Sequence, residues 1–107
     1  MERCTFVNEL AVPRRRREEF LEKWDRGASY VRAQPGLLWT SLHESVGGTG
    51  ALTFFTIAVW ESEAAFRAAT STDWWASYVR DFGFGDDAAS FRASPRLCRT
   101  VRSGGPF

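Results

Sequence analysis

The segment LTFFTIAVWESEAAF, residues 52–66, decides how this 107-residue chain folds. Phe54, Phe55, Ile57, Val59 and Trp60 are β-branched or aromatic, the side chains that a buried strand favours. The pattern changes at Trp60. Ser62 can accept a backbone N–H, and Glu63 places a negative charge at the positive end of a new helix. A strand that ends in tryptophan and turns at once into a helix leaves Trp60 two places. It sits in the sheet's core, or in the wall of a pocket beneath that helix.

Outward from this segment, LLWTSLHES (37–45) is a second strand, and the glycine-rich stretch 46–50 joins the two as a hairpin. CTFVNEL (4–10) alternates, so Cys4, Phe6, Asn8 and Leu10 share one face. Val12 and Pro13 end that strand, and proline suits a first helical turn. From Arg14 to Ala33, Phe20, Trp24, Ala28 and Val31 recur at spacings of four, four and three, one apolar stripe on a helix. Gln34, Pro35 and Gly36 stop it. Beyond Phe66, the helix breaks at Thr70 to Asp73. Thr72 or Asp73 caps a further piece holding Trp74, Trp75, Tyr78, Val79 and Phe82. The glycine- and aspartate-rich stretch from Phe82 to Ser94 carries no assigned conformation. Arg96 to Arg102 is the expected last strand, through Leu97 and Val101, and Ser103 to Phe107 a loose tail.

The order β-α-β-β-α-β predicts an α+β, ferredoxin-like sandwich. Its antiparallel four-stranded sheet carries both helices on one face, with the first strand beside the third at the centre. The length fits a single domain over residues 1–107. The other sheet face has no helix to cover it, so a second copy is expected there, giving a homodimer.

Net charge is +1, so no global field favours nucleic acid. Arg14 to Arg17 form a basic run, but Glu18, Glu19 and Glu22 follow it, as on a solvated helix face with internal ion pairs. No apolar run reaches the length of a membrane span and no signal-peptide pattern opens the chain, so the cytoplasm is expected. Cys4 and Cys98 are expected as two free thiols, offset along neighbouring strands. His43 is the only histidine. It has no second His, Cys or acidic cluster at ligand spacing, which argues against a metal site. No Ser-His-Asp set or phosphate-binding loop is present.

Asn8 stands out among Phe6, Val7 and Leu10, since burying a carboxamide is costly without a hydrogen bond. A neighbouring loop or water satisfies it, or it is a pocket donor for a substrate oxygen. The face of the third strand holding Phe54, Thr56, Ala58 and Trp60 joins the Phe6–Asn8 face of the first if both lie under the helices. That makes an aromatic cavity with a few polar groups, roofed by Phe66, Trp75 and Tyr78. Arg80 is either solvated or turned inward to hold an anionic oxygen.

FVNELAVP, EEFLEKW, PGLLWTSLHES and above all TFFTIAVWESEAAF resemble an antibiotic biosynthesis monooxygenase (ABM) domain, from Phe6 to about Val101. The resemblance implies a ferredoxin-like dimer with a pocket between sheet and helices. Some such proteins are cofactor-independent oxygenases that convert polycyclic anthrones to quinones; others bind and degrade haem. The haem degraders use an asparagine on the first strand, a tryptophan ending the third and a histidine in the second helical region. Asn8 and Trp60 match the first two, but Ser77, Tyr78, Val79 and Arg80 fill the histidine's neighbourhood, which argues against haem. In the anthrone oxygenases a tryptophan and an arginine resemble Trp60 and Arg80. A third-strand asparagine is replaced here by Thr56, and a helix tyrosine by Phe66.

The expected function is therefore cofactor-independent monooxygenation of an aromatic, polyketide-type phenol or anthrone in secondary metabolism, with oxygen as co-substrate. Asn8, Trp60 and Arg80 are the expected catalytic residues. Phe6, Phe54, Thr56, Phe66, Trp75 and Tyr78 are expected to bind substrate. A non-catalytic, binding or structural ABM-like dimer is the alternative, and haem degradation a second one. No general base is evident, and His43 serves only if its strand face opens to the cavity.

Overall fold

The computed structural model describes residues 2–105. Strand β1 (Cys4–Val12) is followed by a 3-10 turn at Arg14–Arg16 and helix α1 (Arg17–Arg32). Strands β2 (Leu37–Glu44) and β3 (Leu52–Trp60) form the hairpin. Helices α2 (Glu63–Thr70) and α3 (Asp73–Phe82) come next, and β4 (Arg92–Arg99) closes the fold. The sheet order is β2-β3-β1-β4, with every neighbouring pair antiparallel. This is the ferredoxin-like α+β arrangement, with the first strand beside the third. No described helix is long and apolar enough to cross a membrane.

Local chemistry sets the boundaries. Ser62 caps α2 by accepting the Ala65 N–H at 3.1 Å, and Thr72 caps α3 by accepting the Trp75 N–H at 3.2 Å. Gly83 ends α3 at a φ of 101°, a conformation that glycine adopts without a Cβ clash. Lys23 donates to the Phe82 carbonyl there at 2.6 Å, tying the end of α3 to α1.

The last strand differs from its expected range. It starts four residues earlier, at Arg92, and stops at Arg99, so Val101 lies outside it and exposed. Ser94 and Pro95 hid it, because proline breaks a strand pattern. An edge strand tolerates proline where the missing N–H faces away from the ladder. Phe91, just before β4, is fully buried against Phe20 and Phe82 and has the Arg16 guanidinium 4.0 Å over its ring. Of the expected tail, Ser103 to Gly105 have no helix or strand, and Pro106 and Phe107 lie outside the described residues.

The basic run pairs both within its own helical segment, as expected, and beyond it. Arg16 bonds Glu19, while Arg17 reaches Glu44 on β2 at 2.7 Å. Both cysteines are free, though not because they are offset along their strands. Cys4 faces Arg99 and Cys98 faces Thr5 in the register, so the thiols are near neighbours on opposite faces of the sheet. Burial pushes the Cys4 thiol up from its ordinary value.

Candidate functional site

The central strands β1 and β3 carry their even-numbered side chains under the helices, and this face has three zones. At one end Leu10, Val12 and Phe54 pack with Phe20, Phe82 and Phe91. At the other, Cys4, Ala58 and Trp60 pack with Val31 and Ala69. Between them lie Asn8 and Thr56, directly opposite each other in the register. A polar pair gives helices nothing apolar to close upon, and the core divides there. A cavity of about 420 Å³ occupies the gap, within the usual range for a small-molecule site.

Its floor includes Phe6, Asn8, Thr56, Ala58 and Trp60 from the central strands. Its walls are Trp24, Gly27, Ala28 and Val31 of α1 and Phe66, Trp75, Tyr78 and Val79 of the second helical region. Ala93 and Pro95 of β4, with Val79 and Phe84, are exposed lining residues, so the cavity opens between α3 and β4. Tyr78 fits over Gly27, where a Cβ would overlap its hydroxyl. Glycine at this position lets α3 lie close on α1 and sets the height of the roof.

Most polar groups in the lining already have partners. Tyr78 donates to the Lys23 carbonyl at 2.8 Å, Thr40 to the Ile57 carbonyl at 3.0 Å and Thr70 to the Phe66 carbonyl at 2.9 Å. Trp24 donates its indole N–H to Thr56 Oγ1 at 3.0 Å. Among the described residues, two buried side-chain atoms have none: Asn8 Oδ1 and Trp60 Nε1. Unpaired buried polar atoms are rare in folded proteins, and each costs about 1–3 kcal/mol. Among the described residues the lining holds no carboxylate, imidazole, amine, guanidinium or thiol. Its one titratable group is Tyr78, which burial pushes up to about 12 against the opposing effects of Arg26 and the Gly27 backbone.

Of the residues singled out in the sequence, Phe6, Asn8, Thr56, Trp60, Phe66, Trp75 and Tyr78 come together around this cavity. Phe66 stacks on Phe6 at 5.5 Å and meets Trp60 edge-on at 5.9 Å. Trp60 is 1% exposed, so it is core and cavity wall at once. Three residues lie elsewhere. Phe54 is packed on Phe20 at 4.8 Å in the apolar cluster next to the cavity. Arg80 does not turn inward: its side chain is 70% exposed and bonds Ser77 and Asp81. On α3, Tyr78 and Phe82 take the inward positions, which leaves position 80 in water. His43 pairs with Phe55 on the helix-free face, where its Nε2 lies 2.7 Å from Ser41 Oγ. Its strand face does not open to the cavity.

A family model for antibiotic biosynthesis monooxygenases matches residues 4–81. The chain belongs to the antibiotic biosynthesis monooxygenase family. Among solved structures, this ABM protein is similar to SnoaB, a cofactor-independent oxygenase from Streptomyces nogalater, at 23% identity over 100% of both chains with a TM-score of 0.75. A candidate monooxygenase from Shewanella loihica is 26% identical over 96% of this chain and 99% of its own, with a TM-score of 0.74. A conserved protein from Methanosarcina mazei shares only 12% identity, yet has a TM-score of 0.73 over 92% of this chain and 93% of its own. No curated protein matches.

Part of the cavity has no local signature in the sequence. Trp24 was visible as part of the α1 stripe, but nothing local shows that a stripe residue donates to a strand threonine. Thr40 and Thr70 look like ordinary strand and helix-end residues. Ala93 and Pro95 were lost with the misplaced start of β4.

Proposed function

We propose that this chain is a cofactor-independent monooxygenase acting on a planar, phenolic or anthrone-type aromatic of the polyketide kind. The carrying observation is the cavity's composition: aromatic and aliphatic walls around an unpartnered Asn8 Oδ1 and an unpartnered Trp60 N–H, with no ionisable side chain except an un-ionised phenol. Such a site suits a flat apolar ligand with a few oxygens. Family membership and the likeness to SnoaB support the reading.

The chemistry follows from what the lining can and cannot do. With no base in the wall, the substrate supplies its own acidity and reacts as a stabilised carbanion or enolate. The anion passes one electron to oxygen, and the resulting radical and superoxide join through a new C–O bond. Protonation gives a hydroperoxide. Loss of water, with cleavage of the O–O bond and departure of the second C–H proton, leaves a carbonyl where a CH2 stood. One oxygen molecule is consumed and one water formed. The Asn8 amide and Trp60 N–H are the groups that can meet developing negative charge on substrate oxygen. The aromatic walls hold the ring and keep bulk water out. Phe6, Phe66, Trp75 and Tyr78 serve as that wall, and Thr56 as a floor contact. Arg80 and Phe54 have no part in this version of the site.

The chain is one ABM domain, with β4 completing the sheet beyond the matched residues. It is a homodimer through the helix-free sheet face and works in the cytoplasm, where both thiols stay reduced. Haem degradation fits poorly, because no lining residue is a histidine, cysteine or methionine able to ligate iron, and the one phenol, Tyr78, is tied to the Lys23 carbonyl and kept un-ionised by burial. Oxygen uptake with anthrone, in the presence of a chelator and without flavin, tests the proposal. One oxygen consumed per quinone, faster than spontaneous oxidation, supports it. A rate equal to the spontaneous one, with no binding of anthrone, leaves the alternative of an ABM-fold dimer without chemistry.

A further inference from the structure

Thr56 is held in a way that its neighbours on the floor are not. Trp24 donates its indole N–H to Thr56 Oγ1 at 3.0 Å, and the Trp24 ring packs against the cluster around Phe20 and Phe54. An indole N–H only donates, while a hydroxyl has one proton and two acceptor sites. Trp24 therefore occupies an acceptor site of Thr56 and leaves its proton to be given away. No described residue takes it: the Trp24 contact is the only side-chain hydrogen bond of Thr56 among the described residues. The hydroxyl lies on the cavity floor, opposite Asn8. A ligand without an acceptor at this point leaves the proton buried and unmet, which is costly. Threonine has only a few χ1 positions. The Trp24 bond selects the one that turns oxygen, rather than methyl, toward Trp24 and the cavity.

We propose that Trp24 is a positioning residue that fixes Thr56 as a hydrogen-bond donor to a carbonyl or phenolate oxygen of the bound aromatic. The inference rests on the reading of the cavity as a site for planar aromatics and adds where the ligand's acceptor oxygen lies. It also gives a specificity role to a helix residue outside the polar floor.

Two tricycles of nearly the same shape test it. 9-Fluorenone carries one carbonyl acceptor, and fluorene carries a CH2 in its place. Calorimetric titration of the intact protein should show fluorenone bound about fivefold to tenfold tighter than fluorene, the size of one net hydrogen bond. Thr56→Val should bring the two affinities together, and Thr56→Ser should keep them apart. Trp24→Phe should at least halve the ratio while fluorene binding moves less than fluorenone binding. In the Thr56→Val background Trp24→Phe should change the ratio no further. The C=O stretch of bound fluorenone should lie lower in the wild-type protein than in Thr56→Val, a readout independent of affinity. Trp24→Phe that weakens both ligands equally shows mere packing and overturns the positioning role. An unchanged ratio and stretch in Thr56→Val overturn the donor role, even if Trp24→Phe does not fold. Equal binding of both tricycles by the wild-type protein overturns this inference alone; binding of neither overturns it together with the cavity reading.

Discussion

Asn8 makes the argument for a site because its surroundings give it nothing. A carboxamide oxygen between Phe6 and Leu10 on the inward face would be expected to find an N–H or a hydroxyl donor, yet Asn8 Oδ1 is buried without a partner. Tyr78 is the opposite case, a polar group fully occupied. Its hydroxyl is bonded to Lys23, and its pKa is raised to about 12 chiefly by burial. The one titratable lining group therefore stays un-ionised well above neutral pH, and the rate–pH profile should follow the substrate's own ionisation. Its midpoint should move when substrates of different acidity are compared and stay put in Tyr78→Phe; a midpoint common to all substrates would reveal a protein base. Gly27 carries a steric prediction. Gly27→Ala drives a methyl into Tyr78 and should cost about 1–3 kcal/mol, as overpacking does. Thermal melts should also show Gly27→Ala/Tyr78→Leu to be less unstable than the sum of its single changes.

The break between α2 and α3 lets one stretch of chain both pack on the sheet and roof the cavity. Thr72 holds it twice, capping α3 through the Trp75 N–H and hydrogen bonding the Tyr30 hydroxyl at 2.7 Å. Tyr30 in turn stacks on Trp74 at 4.1 Å with the rings 5° apart. Thr72→Ala should lower stability by about 1–2 kcal/mol, read by denaturant titration, and Thr72→Ser should restore most of the loss. Elements with strong local chemistry were legible in the sequence: the Trp60–Ser62–Glu63 junction, the α1 stripe stopped at Pro35, and the glycine hairpin. The cavity floor was legible too, because strand alternation and strand order together put Phe6, Asn8, Thr56 and Trp60 on one face. What failed had no local signature. The start of β4 is a run of Arg, Ala, Ser and Pro whose strand state is set by pairing with β1. The direction of Arg80 depends on which face α3 buries, and Phe54 misses the cavity because Phe20 covers it.

Viewed together, the two core clusters anchor opposite ends of the sheet, and the cavity is the price of the polar pair between them. The far side of the sheet carries Val7, Phe55 and Ile57 with no described helix over them. Covering that face with a second copy should make the protein a dimer in sedimentation at micromolar concentration. A monomer there would leave this apolar face unexplained. The account of the site stands or falls on Asn8 and Trp60, so turnover and melting of Asn8→Ala and Trp60→Phe should be measured side by side with an anthrone substrate. Both variants should stay folded and lose about tenfold or more in turnover, the scale of a lost donor to a developing oxyanion. Normal turnover in both, accompanied by much lower melting temperatures, would show that the two residues are only core.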